Sequence, residues 1–194
     1  MSNDTDYLNN LQDYYAEHRV FPPYSAIGER LGLKSKSSVA ALVARLKLAG
    51  FLEATPDKRL KPGPRFFERT LADSAVRAGL PHPADSGSGS ATLTIDEYLI
   101  ERPSSTVLVR VKGDSMIDAG IHEGDIVVVE RRPSANAGDM VVAIVDNEFT
   151  LKYLEKDKGD YVLKPANPAY PVIRPKGQLE IFGVVVGMVR KYKN

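Results

Sequence analysis

Apolar residues recur at helical spacing through Tyr7, Leu8, Leu11, Tyr14 and Tyr15, and this period predicts a helix that runs to His18. Phe21-Pro22-Pro23 ends it, since proline has no N–H to donate and cannot continue a helix. A short second helix is predicted from Ser25 to Leu31, stopped by Gly32. A third carries the buried stripe Val39, Leu42, Val43 and Leu46, with Ser35 or Ser37 as its N-cap and Gly50 closing its C-terminus. The period then shortens: Phe51-Leu52-Glu53-Ala54, the turn Thr55-Pro56-Asp57-Lys58-Arg59 and a return from Leu60 read as a β-hairpin. Helix, short helix, tight turn, helix and hairpin is the order of a winged helix-turn-helix, in which the third helix enters the major groove. Residues 1–66 are therefore expected to form such a domain; an ordinary three-helix domain with a solvated polar face would give the same pattern.

Residues 67–92 differ in character, with Pro81 and Pro83 followed by Asp85-Ser86-Gly87-Ser88-Gly89-Ser90. Such content has little apolar area to bury and reads as a flexible connector. Leu71 to Leu80 is mildly apolar and suited to lie in a groove as an extended strand. Beyond it, short Val/Ile-rich segments alternate with turns at Gly124-Asp125, Ala137-Gly138-Asp139 and Lys158-Gly159-Asp160, predicting a compact, mostly-β domain over 93–194 without βαβ alternation. The fold class expected is thus α+β in two domains.

Composition narrows the chemistry. The 194 residues contain no cysteine, which excludes a thiol nucleophile, a disulfide framework and Cys-based metal sites. His18, His82 and His122 are scattered without metal-ligand spacing, so neither metal nor cofactor is expected. The longest apolar stretch, Ile181 to Val189, is far short of the roughly 20 residues a membrane-spanning helix needs, and no signal-like segment opens the chain; a cytoplasmic protein without membrane contact is expected. The net charge of +1 hides an asymmetry. Residues 34–69 hold nine Lys or Arg against three acids, whereas residues 1–33 sum to −3. A basic patch confined to one region is the footprint of phosphate binding as well as of a plain solvated face. Ser35, Lys36, Ser37, Ser38, Ala41 and Arg45 on the third helix and Lys58 and Arg59 in the hairpin turn are the candidate DNA contacts.

Ser115 and Lys152 carry the candidate chemistry. A serine hydroxyl needs a base to become a nucleophile, and lysine can serve where desolvation favours its neutral form. Alternation along Glu148-Phe149-Thr150-Leu151-Lys152-Tyr153-Leu154 sets Thr150, Lys152 and Leu154 on one face of a mostly apolar strand. The turn Gly113-Asp114-Ser115 can aim the backbone N–H groups of Asp114 and Ser115 at a developing oxyanion. Taken alone, Lys152 also reads as a solvated strand lysine.

From Leu93 onward the chain resembles the S24 self-cleaving peptidase family, the group of LexA-type and phage repressors and UmuD-type polymerase accessory proteins. The resemblance is carried by Val109-Arg110-Val111-Lys112-Gly113-Asp114-Ser115-Met116-Ile117-Asp118, by Gly124-Asp125-Ile126-Val127-Val128-Val129, by Glu148-Phe149-Thr150-Leu151-Lys152 and by Ile181-Phe182-Gly183-Val184-Val185-Val186-Gly187. In wording, this half is more similar to the UmuD type than to the LexA type. The resemblance implies a LexA/signal-peptidase-like β domain, Ser115 as nucleophile, Lys152 as general base, and Ala78-Gly79, within Val76-Arg77-Ala78-Gly79, as the bond cut. The stretch from Phe21 to Gly50 also resembles the LexA-type DNA-binding domain, departing at Ala40 and Ala41 where the best-known members carry two acids.

The function expected is a LexA-like repressor of DNA-damage (SOS) genes, inactivated when it cuts its own connector. The resemblance further implies operator DNA as ligand, a homodimer through the C-terminal half including Leu179 to Arg190, and a RecA filament on single-stranded DNA as trigger. Two alternatives stay open: a UmuD-like translesion polymerase accessory protein with an added DNA-binding domain, and a prophage or toxin-gene repressor.

Overall fold

The structure, a computed structural model, describes residues 3–72, 90–175 and 178–192. The chain divides into two compact units, Met1–Ile95 and Asp96–Asn194.

In the first unit α1 (Asp4–His18) opens with Asp4 and Asp6, which suit the positive end of a helix dipole, and buries Leu8 and Leu11. It ends at Arg19, whose left-handed backbone turns the chain into Pro22-Pro23. α2 (Tyr24–Leu31) ends at Gly32, again left-handed at φ 68°. α3 (Lys36–Leu48) is capped by Ser35, whose Oγ accepts the Ser38 N–H at 3.1 Å, and buries Val39, Leu42, Val43 and Leu46. β1 (Leu52–Ala54) and β2 (Leu60–Pro62) pair antiparallel, as the shortened period predicts. The core gathers Leu11, Ile27, Leu42, Leu52 and Phe66, with Tyr15 and Phe21 packed against it. The return of the chain past β2 requires Gly63, because a Cβ there would lie 2.3 Å from the Gly50 carbonyl oxygen.

Part of the segment expected as connector is paired. β3 (Arg69–Ala72) runs antiparallel to β4 (Ser90–Leu93), and all four β3 residues are exposed. β3, Arg69-Thr70-Leu71-Ala72, does not alternate in polarity, and β4, Ser90-Ala91-Thr92-Leu93, alternates over only four residues, too few to stand out from the Gly/Ser-rich stretch before it.

The boundary falls at the first residue of the short helix α4 (Ile95–Leu99), and the second unit is built on a six-stranded antiparallel sheet. Its strands are β5 (Thr106–Arg110), β6 (Ile126–Glu130), β7 (Met140–Val145), β8 (Glu148–Asp157), β9 (Asp160–Lys164) and β10 (Leu179–Val189), in the spatial order β5-β6-β10-β7-β8-β9. The mostly-β expectation is met. The β7–β8 hairpin turns through Asp146 and Asn147, both at positive φ, the geometry that matches strand twist in a two-residue loop. β10 carries two register shifts, at Ile181/Gly183 and Val185/Gly187, that let one strand pair with both β6 and β7. At the first of them a Cβ on Gly183 would lie 2.5 Å from the Glu130 carbonyl oxygen. Two apolar clusters result, one around Val127, Val129 and Val142 beneath Met116, the other around Val141, Leu154 and Leu163.

Candidate active site

The loop after β5 and the middle of β8 bring Ser115 and Lys152 together. Gly113 takes φ 86°, a left-handed turn that a side chain would strain, and a 3-10 turn over Ile117–Ala119 follows. Between them Met116 drives into the apolar cluster at 2% exposure, so the loop is nailed down beside its serine. β8 sets Lys152 opposite Val141 in the register of the β7–β8 pair. The Lys152 Nζ lies 2.7 Å from Ser115 Oγ, 3.2 Å from Thr150 Oγ1 and 2.9 Å from the Leu151 carbonyl oxygen.

Lys152 is 6% exposed, and among the described residues it forms no ion pair. Burial disfavours the ammonium and pushes its pKa below the ordinary lysine value. The neighbours suit both protonation states. An ammonium has three N–H donors for the three oxygens. A neutral amine keeps two, for Thr150 Oγ1 and the Leu151 carbonyl, and presents its lone pair to the Ser115 hydroxyl. Thr150, two residues away on the same strand face, is a member of the constellation that strand alternation placed beside Lys152 but to which the sequence attached no role.

The Ser115 loop is held from behind by the segment that follows β9. The Ala166 N–H donates to the Ser115 carbonyl at 2.9 Å, and the Asp118 N–H donates to the Ala166 carbonyl at 2.8 Å. Asn167 Nδ2 donates to the Asp114 carbonyl at 3.1 Å, and the Tyr170 hydroxyl donates to the Asp114 carboxylate. That carboxylate raises the Tyr170 pKa by stabilising its protonated hydroxyl. Neither the Asp114 N–H nor the Ser115 N–H donates to an acceptor among the described residues. Asn167 and Tyr170 had no sequence signal, because they reach the site from more than fifty positions away.

A second anchor lies where β10 ends. Asp125, 3% exposed, accepts from Arg190 Nε and Nη2 at 2.7 and 2.5 Å and from the His122 N–H at 2.7 Å, while the same Arg190 Nη2 donates to the Gly120 carbonyl at 2.6 Å. The Arg190 guanidinium, helped by the His122 N–H, holds the Asp125 carboxyl down at about 2. His122 enters this cluster through its backbone.

The candidate DNA contacts fall on α3 and the β1–β2 turn. Lys36, Ser37, Ser38 and Ala41 are exposed on α3, and Ser35 Oγ, besides capping it, lies 2.9 Å from Ser37 Oγ and 2.8 Å from Ser38 Oγ. Arg45 is engaged by Asp4 of α1 at 2.7 and 2.8 Å. In the turn Arg59 pairs with Asp57 at 2.9 Å, and Lys58 stands at φ 64°. Lys34, Lys36, Lys47 and Lys58 form no ion pair among the described residues. Ala78 and Gly79 lie outside the described residues. No helix among the described residues is long and apolar enough to cross a membrane.

Known proteins are similar to this chain over most of its length. The Peptidase S24-like family profile matches residues 70–186. LexA repressor 1 of Nocardia farcinica is 34% identical over 95% of this chain and 90% of its own length, and LexA repressor 2 of Pseudomonas putida is 35% identical over 93% of each. Protein SamA of Salmonella typhimurium is 42% identical over 60% of this chain and 81% of its own. The likeness to LexA repressors therefore runs through both units, and that to SamA over a shorter span. This chain belongs to the S24 peptidase family, as one of its LexA-like repressors.

Proposed function

We propose that the protein represses transcription of DNA-damage genes through a winged helix-turn-helix formed by α1 to β2, and that it ends repression by cutting itself between Ala78 and Gly79. The observation that carries the reading is the 2.7 Å contact between Ser115 Oγ and a buried Lys152 amine that burial has made easier to deprotonate.

The chemistry follows from these groups. Neutral Lys152 takes the Ser115 proton as Oγ attacks the Ala78 carbonyl carbon. The resulting oxyanion meets the unengaged Asp114 and Ser115 N–H groups. On collapse the Lys152 ammonium returns its proton to the Gly79 nitrogen, which leaves as an amine, and Ser115 holds the Ala78 acyl group as an ester. Water, deprotonated by Lys152, then releases the Ala78 carboxylate and restores the serine.

Operator DNA is the ligand of the first unit, met by α3 and by Lys58 and Arg59 of the turn. A homodimer through β10 supplies avidity, worth about 10²-fold to 10⁴-fold in operator affinity, and Val186 and Met188, both exposed on that strand, supply apolar area for it. Cutting at Ala78-Gly79 separates the DNA reader from the dimeriser, with a RecA filament as trigger and the cytoplasm as location.

The test is mass spectrometry of purified protein incubated at rising pH. Fragments ending at Ala78 and beginning at Gly79, absent from Ser115→Ala, support the reading. A different junction overturns the cleavage site, and fragments that persist in Ser115→Ala overturn the nucleophile.

A further inference from the structure

The peptide joining Asp114 to Ser115 contains both a carbonyl held by Asn167 and the N–H of the candidate nucleophile. In a planar trans peptide these two groups point in opposite directions. Anchoring the carbonyl oxygen on one side therefore fixes where the N–H aims on the other. The Asn167 Nδ2 is 3.1 Å from that oxygen, which also accepts the Ile117 N–H of the following 3-10 turn at 3.1 Å, so Asn167 supplies the anchor from outside the loop; the Ser115 N–H donates to no acceptor among the described residues. The Gly113-Asp114 peptide, which carries the other expected oxyanion donor, has no comparable hydrogen bond to its carbonyl among the described residues.

Asn167 is itself held. Its Oδ1 accepts the Ala169 N–H at 2.9 Å, which settles the amide orientation and leaves Nδ2 for Asp114. The loop is closed by reciprocal Leu163 and Ile173 hydrogen bonds of 2.9 Å each and contains Pro165, Pro168 and Pro171, which restrict its backbone. An oxyanion donor is effective when oriented before the charge develops, because no reorganisation is then needed during reaction.

We propose that Asn167 is a positioning residue that aims the Ser115 N–H at the oxyanion of the cleavage reaction. The assignment rests on the Ser115/Lys152 reading above. Asn167→Asp keeps the acceptor for the Ala169 N–H and loses the donor to Asp114 but adds a charge, so Asn167→Ala, which loses the donor without adding one, is its control.

The experiment follows first-order self-cleavage of the full chain against pH for wild type, Ser115→Ala, Asn167→Asp, Asn167→Ser and Asn167→Ala, with a melting curve for each. Complete loss of an oxyanion donor costs about 10² to 10³ in rate, so misaiming one is expected to lower the plateau rate of Asn167→Asp by about 10-fold to 100-fold. In Asn167→Ala and Asn167→Ser, which add no charge near Lys152, the midpoint of the pH profile stays where it is. Asn167→Ser, which keeps a hydroxyl donor and acceptor, recovers part of the rate lost in Asn167→Ala. A plateau of Asn167→Ala within about two-fold of wild type, or a midpoint of Asn167→Ala that moves with its plateau, overturns the proposal. If Asn167→Asp does not fold, equal rates for the Ser and Ala variants overturn it. Absence of wild-type cleavage, or its persistence in Ser115→Ala, is a failure of the underlying reading instead.

Discussion

Arg45 clasps Asp4 with two hydrogen bonds, tying the last turn of α3 to the first turn of α1. The guanidinium of a candidate DNA contact is thereby turned to a neighbouring helix. Its pKa is raised by that carboxylate, so the charge is present but already answered. Arg45→Ala is expected to lower the melting temperature of the first unit and to leave the salt dependence of operator binding unchanged. Lys58→Ala should do the reverse, since Lys58 forms no ion pair among the described residues. A lost phosphate contact reduces the slope of log affinity against log salt by about 0.9. Filter binding of both variants over a salt series separates the two; a reduced slope for Arg45→Ala would return that residue to the DNA face.

Thr150 accounts for one of the two hydrogen bonds left to Lys152 once its lone pair faces Ser115. Thr150→Val keeps the shape and removes that acceptor. The amine then has fewer constraints on where its lone pair points, and self-cleavage should slow by about 10-fold, less than the roughly 10²-fold to 10⁴-fold of a whole general base because the amine itself remains. The fold should survive, as threonine and valine share a β preference. The rate of fragment appearance and a melting curve check the two halves of this expectation.

Arg190 is the partner of a carboxylate almost wholly removed from water. Replacing it with Met strands Asp125 with the His122 N–H and no countercharge, which costs more than the pair itself contributes. Arg190→Met should lower the melting temperature by several degrees at neutral pH. The sign in acid follows from Asp125: its pKa is about 2 in the folded protein and near 3.8 when unfolded, so the pair's contribution is complete above the latter and is lost as pH falls through the former. The difference between wild type and Arg190→Met should therefore shrink below about pH 4.

The helices were legible because each carried its own local signals: a 3.6-residue apolar period, Ser35 as cap, and Gly32 and Gly50 at left-handed ends. Ser115 in its glycine turn and Lys152 on its alternating strand were only candidates on local pattern, which fits a solvated lysine equally well; it was the resemblance to the S24 family that paired them. What escaped was long-range. Asp4 lies 41 positions from Arg45, and Asn167 lies 53 from Asp114, so neither pairing leaves a trace in local periodicity. The β3–β4 pair escaped for a different reason: its strands are four residues each, and β3, exposed throughout, carries no alternation of polar and apolar residues. Thr150 was visible on the correct face, but only the three-oxygen geometry around the amine gives it work.

The pH profile of cleavage follows from Lys152. Its pKa is lowered by burial, and the base function exists only in the neutral form. The first-order rate should climb as pH rises through the depressed value and then level off, and Lys152→Arg, which stays charged at every accessible pH, should remain inactive throughout. Stability must follow the same group. An unfolded lysine titrates near 10.4, so between the folded value and about 10.4 the unfolded chain binds more protons, and folding becomes more favourable as pH rises. Below the folded value the buried ammonium is a fixed penalty. In a Ser115→Ala background, where no cleavage interferes, Lys152→Met removes that penalty and should melt higher than its parent at low pH. Its advantage should shrink steadily as pH approaches about 10. Melting curves over that range decide it: a difference that does not change with pH would mean that Lys152 titrates as an ordinary lysine, and the case for it as the base would fall.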